Sequence, residues 1–172
     1  MTAQHIQINF IASQYIVDNN SGNHLHSKGF GTFSNHFNSG EGGFVLTPLE
    51  VLYIYEHKKN VSTIGFSIST PEKFLKKHKI LYNEYKVFCD LIQKGYIIKQ
   101  ALKFGAQFRI YDKSSQEKHA THLVFVLSQN NKLNAEDLFA NIRVAHSTRK
   151  KILLAFVDYE LSINYIEQSR WK

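Results

Sequence analysis

Apolar and polar positions alternate near the start of the chain. Ile6, Ile8 and Phe10 are separated by Gln7 and Asn9, the period of a half-buried β-strand. Residues 18–43 are rich in Asn, Ser, Gly and His and read as loops around short strands. A helical pattern then takes over. Thr47-Pro48-Leu49-Glu50 puts a threonine at N-cap, a proline at the first helical position and a glutamate at N3, which is a capping box. Leu49, Leu52, Tyr53 and Glu56 follow at helical spacing, so a helix is predicted from residue 48 to about 59. A short strand is expected over residues 64–68. Ser69-Thr70-Pro71 repeats the cap-and-proline start and opens one long helix with the stripe Phe74, Leu81, Tyr85, Phe88 and Ile92, stopped by Gly95.

Beyond Gly95 the pattern is mostly strand. Residues 96–102 and 107–111 flank Lys103-Phe104-Gly105 as a hairpin, and residues 112–118 form a polar loop. An apolar strand covers residues 122–128 and a polar loop residues 129–134. A helix over 135–149 follows, with Asn134 as cap and Glu136 and Asp137 in its first turn. Strands at 152–158 and 163–167 complete the sheet. The expected fold is mixed α/β (α+β): a small N-terminal α/β domain over residues 1–70, then residues 71–172 as a mixed, largely antiparallel sheet with flanking helices.

Charge supports that division. Residues 1–70 carry three basic and four acidic side chains, whereas residues 71–172 carry eighteen basic and ten acidic ones, within a net charge of +7. A basic half beside a near-neutral half fits a polyanion partner, with nucleic acid the usual candidate, and equally fits a solvated basic surface. With 43% hydrophobic residues the chain can bury a core, which excludes global disorder. No apolar run approaches the roughly 20 residues of a membrane helix, so no membrane partner is expected. The N-terminus lacks the pattern of a secretory signal, and the single Cys89 cannot form an internal disulfide. An intracellular, cytoplasmic protein is the expectation.

The basic half holds candidate chemistry. Tyr111, His119 and Lys150 are the residue types that a metal-free phosphodiester cleavage needs: a base, an acid and a cation beside the developing negative charge. Spacing alone does not bring them together, and His122 competes with His119 for the acid role. His119-x-x-His122 and His24-x-His26 also suggest a metal, although closed zinc sites ordinarily use cysteine or more ligands. The Gly29-Phe30-Gly31 and Gly40-Glu41-Gly42-Gly43 stretches read as turns rather than phosphate loops.

Four blocks carry a resemblance. Tyr85-Lys86-Val87-Phe88-Cys89-Asp90-Leu91-Ile92 leads to Gly95-Tyr96-Ile97-Ile98-Lys99. Leu102-Lys103-Phe104-Gly105-Ala106-Gln107-Phe108-Arg109-Ile110-Tyr111 resembles K-F-G-x-D-F-x-x-Y. His119-Ala120-Thr121-His122-Leu123-Val124 resembles H-S-x-Y-L-V, and Arg143-Val144-Ala145-His146-Ser147-Thr148-Arg149-Lys150 resembles R-x-A-H-S-V-R-K. These are motifs of the tRNA-splicing endonuclease (tRNA-intron endonuclease) family. More loosely, Leu46–Tyr53 is similar to an L-x-x-x-E-A-x-Y helix of its archaeal members.

The resemblance implies a catalytic subunit that cuts precursor tRNA at bulge–helix–bulge exon–intron junctions, leaving 2′,3′-cyclic phosphate and 5′-hydroxyl ends with no metal or cofactor. It implies Tyr111 as general base, His119 as general acid and Lys150 as stabiliser of the pentavalent phosphorus. A phenol ordinarily titrates near pH 10, so Tyr111 would depend on nearby positive charge such as Lys150, or else position the hydroxyl. Arg143, and from the chain end Arg170 and Trp171, would hold a flipped bulge base. The departures are Gln107 for aspartate, Ala120 for serine and Gln93-Lys94 for the arginine before the glycine. The loop at 129–134 lacks the carboxylates often found in the family's subunit-contact loop. That favours a heterotetramer of two catalytic and two structural chains over a homotetramer. The alternative within the family is a non-catalytic RNA-binding subunit, and outside it an unrelated basic nucleic-acid-binding module.

Overall fold

The computed structural model describes residues 5–34, 43–101, 105–111, 119–128 and 134–168. The chain forms two units, residues 1–81 and 82–172, each built on its own five-stranded sheet. The first contains β1 (Ile6–Ile11), β2 (Gln14–Val17), α1 (Asn19–Ser27), β3 (Thr32–Ser34), β4 (Gly43–Leu46), α2 (Pro48–His57), β5 (Val61–Ile64) and α3 (Pro71–Lys77). Its strand order is β3-β4-β2-β1-β5, antiparallel except where β1 meets β5.

Several sequence expectations hold in this unit and others do not. The capping box of α2 forms as expected. Thr47 Oγ1 accepts from the Glu50 N–H at 3.3 Å, and Glu50 Oε2 accepts from the Thr47 N–H at 2.8 Å. Glu50 is 2% exposed, and its other oxygen accepts the Gly31 N–H at 3.0 Å, so the carboxylate also ties down the turn after α1. The segment expected to be loops contains α1, capped by Asp18, whose Oδ1 accepts from the Ser21 N–H. β5 lies at residues 61–64 rather than 64–68, because Gly65 turns away at φ 80°, where an added Cβ would lie 2.9 Å from the Phe10 carbonyl oxygen.

The expected long helix is two helices. At the end of α3 the Lys79 N–H donates to the Lys76 carbonyl and the Ile80 N–H to the Leu75 carbonyl, a Schellman stop with Lys79 at φ 57°. No glycine marks it, and the break leaves Leu81 65% exposed instead of on an apolar stripe. α3 belongs to the first unit. Tyr15 packs on Phe74, and its hydroxyl lies 2.7 Å from His78 Nε2, so the division falls after Leu81 and not near Thr70.

The second unit contains α4 (Tyr82–Gln93), β6 (Ile97–Gln100), β7 (Phe108–Tyr111), β8 (His122–Ser128), α5 (Ala135–Ser147), β9 (Lys151–Val157) and β10 (Ile163–Gln168). The order is β10-β9-β8-β7-β6, antiparallel except for the β8–β9 pair, whose connection carries α5. Side chains alternate across the sheet. Leu123, Phe125, Ile152 and Leu154 face α5, where Leu138, Ile142 and Val144 cover them. Val124 and Phe108 face the other way, towards Phe88 of α4. The architecture is α+β, as expected. Among the described residues no helix is long and apolar enough to cross a membrane.

Candidate active site

Strand register brings three chain segments to one end of the second sheet. β7 is antiparallel to β8, with Arg109 opposite Leu123 and Ile110 opposite His122, so β7 ends where β8 begins. β9 is parallel to β8, with Lys151 opposite His122, so β9 begins there too. Continuing each ladder by one residue sets Tyr111 and Lys150 on either side of Thr121. Two backbone bonds support the continuation: Thr121 N–H to the Ile110 carbonyl at 2.9 Å, and Lys151 N–H to the Thr121 carbonyl at 3.0 Å. Two strand spacings put the Cα atoms of Tyr111 and Lys150 roughly 10 Å apart. His119 lies two residues before Thr121, at the same edge.

Local structure explains how each side chain is presented. Tyr111 is half-buried at the end of β7, and the Arg109 guanidinium lies over its ring, 5.8 Å from the centroid. Arg109 Nε is buried and makes no hydrogen bond among the described residues. Lys150 emerges from a second glycine-free Schellman stop, with Arg149 at φ 55° and the Lys150 N–H bonded to the Ala145 carbonyl at 2.8 Å. Its Nζ donates to the Thr148 carbonyl at 2.9 Å, so the ammonium rests by the negative end of α5.

The two histidines separate clearly. His119 is exposed. His122 Nδ1 lies 2.9 Å from Thr121 Oγ1, and its Nε2 donates to Glu167 Oε2 at 2.8 Å. Lys151 Nζ donates to the other Glu167 oxygen, also at 2.8 Å. Those hydrogen bonds from Lys151 and His122 hold the Glu167 carboxyl below the usual carboxylate range. Among the described residues His24 and His26 join no metal cluster: His24 bonds Lys28 and His26 packs on Phe44. Among the described residues no three His, Cys, Asp or Glu side chains cluster as a metal site would require.

The departures from the family motifs have structural counterparts. Gln107 Oε1 accepts from the Val126 N–H at 3.0 Å, the work of an acceptor oxygen that a carboxylate could equally do. Ala120 is 8% exposed, a place where a hydroxyl would need a buried partner.

Comparison with known proteins adds the decisive observation. Residues 81–165 match the family described as tRNA intron endonuclease, catalytic C-terminal domain. The tRNA-splicing endonuclease of Thermococcus gammatolerans is 33% identical over 156 residues, covering 88% of this chain and 89% of the relative. That of Methanothermobacter thermautotrophicus is 36% identical over 124 residues, covering 70% and 73% respectively. The chain belongs to the tRNA-splicing endonuclease family. The Nanoarchaeum equitans member is 37% identical over 134 residues, 70% of this chain and 79% of the relative.

Within this tRNA-splicing endonuclease fold, Arg143 is exposed on α5, while Arg170, Trp171 and residues 129–133 of the expected contact loop lie outside the described residues. Thr121, Glu167 and Arg109 escaped the sequence reading. Arg109 carried one signal, its place two residues before Tyr111 on a strand and therefore on the same face. Thr121 and Glu167 carried none, because their roles follow from pairings across β8, β9 and β10.

Proposed function

We propose that this chain is the catalytic subunit of a tRNA-splicing endonuclease and cuts precursor tRNA at bulge–helix–bulge exon–intron junctions. The observation that supports it most is the register row of Tyr111, Thr121 and Lys150, with His119 at the same edge, in a chain of this family. Tyr111, as the phenolate, takes the proton of the ribose 2′-hydroxyl and becomes the neutral phenol. The 2′-oxygen bonds to the adjacent phosphorus, the P–O5′ bond breaks, and His119 delivers a proton to the departing 5′-oxygen. The Lys150 ammonium offsets the extra negative charge of the pentavalent phosphorus, an interaction strongest in the transition state. Base, acid and cation are all side chains, so the scheme calls for no metal. The products carry 2′,3′-cyclic phosphate and 5′-hydroxyl ends. Arg143, Arg170 and Trp171 hold the flipped bulge base, and the working assembly pairs two such chains with two structural ones.

The test is cleavage of a bulge–helix–bulge RNA in EDTA, by the chain alone and with candidate partner chains, with end-group analysis of the fragments. Cyclic-phosphate and 5′-hydroxyl ends support the reading. Cleavage that requires magnesium, or 5′-phosphate products, overturns the mechanism. RNA binding without cleavage in any assembly favours a non-catalytic subunit.

A further inference from the structure

The carboxylate of Glu167 sits at the centre of a polar chain that crosses the second sheet beside the proposed catalytic row. On β10 it accepts from His122 Nε2 of β8 and from Lys151 Nζ of the intervening β9, both at 2.8 Å. The alternation explains why the three can meet. Glu167 pairs with Leu153, two residues from Lys151, and Lys151 pairs with His122, so all three share one face. From His122 the chain continues to Thr121 Oγ1 at 2.9 Å, and the Thr121 hydroxyl reaches the Ile110 carbonyl of β7 at 3.3 Å.

Three members of this chain lie in or beside the proposed row. Ile110 precedes Tyr111, Lys151 follows Lys150, and Thr121 stands between them in the register, two residues after His119. These side chains themselves have other tasks to perform: the His122 nitrogens are engaged, and Lys151 is turned to Glu167 on the α4 face, away from the row. We propose that Glu167 is a positioning residue for cleavage, acting through His122 and Lys151 to fix the strand ends that present Tyr111, His119 and Lys150. The inference rests on the reading of the site given above.

The energetic setting makes this separable from a purely structural role. The side chains of Lys151 and Glu167 are 52% and 46% exposed, and ion pairs in such positions contribute little to global stability. Reaction geometry is less tolerant, since a displacement of about 1 Å can cost on the order of 100-fold in rate. Loss of Glu167 is therefore felt in the chemical step far more than in folding or in RNA affinity.

The experiment is single-turnover cleavage of a bulge–helix–bulge RNA by the assembled enzyme, with RNA affinity and urea midpoint measured alongside. The variants are Glu167→Ala, His122→Ala, the double variant, His122→Gln and Lys150→Ala. Glu167→Ala is expected to slow cleavage by roughly 10- to 100-fold, with RNA affinity within about twofold of wild type and an almost unchanged midpoint. The double variant should be no slower than the slower single variant, since both break one chain. His122→Gln keeps a donor for Glu167 and cannot shuttle a proton, so it should recover most of the rate. A Glu167→Ala rate equal to wild type, a rate loss that tracks a loss of stability, or additive losses would overturn the proposal. A His122→Gln enzyme as slow as His122→Ala would make His122 a proton donor and overturn it too. Failure of the wild-type enzyme to cleave, or undiminished cleavage by Lys150→Ala, would instead sink the functional reading beneath it.

Discussion

Replacing Gln107 by Met removes one acceptor from the second sheet at nearly constant volume. The Val126 N–H points towards β7, but the β7 ladder begins only at Phe108, opposite Val124. Gln107 fills the gap. Its own N–H donates to the Val124 carbonyl at 3.1 Å, its carbonyl accepts from the Ala101 N–H at 3.1 Å, and its side-chain Oε1 accepts from the Val126 N–H at 3.0 Å. Val126 is 8% exposed, so water is a poor substitute partner. A hydrogen bond between neutral groups is worth about 1 kcal/mol net, and a buried N–H left without an acceptor costs about 1–3 kcal/mol. Gln107→Met should therefore lose about 1–3 kcal/mol, and Gln107→Glu, which keeps an acceptor oxygen, should retain most of that. Urea unfolding followed by far-UV circular dichroism measures it as a lower midpoint at unchanged slope. For a unit of this size each kcal/mol is also about 4–8 °C in melting temperature. A Gln107→Met midpoint equal to wild type would refute the reasoning, because it would mean that the side-chain bond satisfies nothing.

Three further outcomes follow from other places in the fold. A Cβ built on Gly22 would lie 2.1 Å from the buried Phe44 ring, so Gly22→Ala should destabilise the protein by about 1–3 kcal/mol, and Phe44→Leu in the same chain should recover part of it. Urea midpoints of the single and double variants decide this, and a more stable Gly22→Ala protein would contradict it. Burial, and secondarily the charge of Lys77, hold His78 below the ordinary imidazole range. The unfolded chain thus takes up this proton first, and stability falls as pH drops below about 6.5 towards the lower folded value. Urea midpoints from pH 7.5 to 5 should fall more steeply for wild type than for His78→Gln, and parallel slopes would rule the contribution out. Finally, light scattering of the lone chain should give a mass below that of a homotetramer, whereas a stable tetramer would remove the need for a partner chain.

Much of this fold could be read from local signals, and what escaped has a common physical cause. The start of α2 was legible because Thr47, Pro48 and Glu50 each satisfy or remove an orphan N–H of the first turn. α5 was legible for the same reason, through Asn134. The hairpin between β1 and β2 was not, because its turn uses Ala12 and Ser13 at φ 48° and 65°, where Asn-Gly would have announced it. Lys79 hid the end of α3 in the same way. In each case strand pairing or helix-end hydrogen bonds hold an exposed, ordinary residue in a left-handed conformation that its own preference disfavours. α1 escaped because Asn, Ser, Gly and His are weak helix formers, and only Asp18 signalled its start. β5 shifted because its partner is β1, a parallel pairing across most of the first unit.

The site divides along the same line. The motifs alone nominated Tyr111, His119 and Lys150. Their common edge was not legible there, since it depends on one antiparallel and one parallel register meeting at β8. The difference in surroundings between His119 and His122 likewise needed the structure: Thr121 and Glu167 engage the His122 ring, while His119 is exposed. In the proposed reading the basic excess after residue 70 would attract the RNA backbone in a salt-dependent way, with Lys150 alone set beside the reacting phosphorus.

The most direct test of the central claim is the single-turnover cleavage rate of a bulge–helix–bulge RNA in EDTA, measured for wild type, Tyr111→Phe, His119→Ala and Lys150→Ala under matched assembly. The account predicts that each substitution slows cleavage by at least about 100-fold, the usual scale for losing a general acid, base or charge stabiliser, while RNA binding persists. Cleavage at the wild-type rate by the Lys150→Ala enzyme, with the same cyclic-phosphate ends, would contradict it.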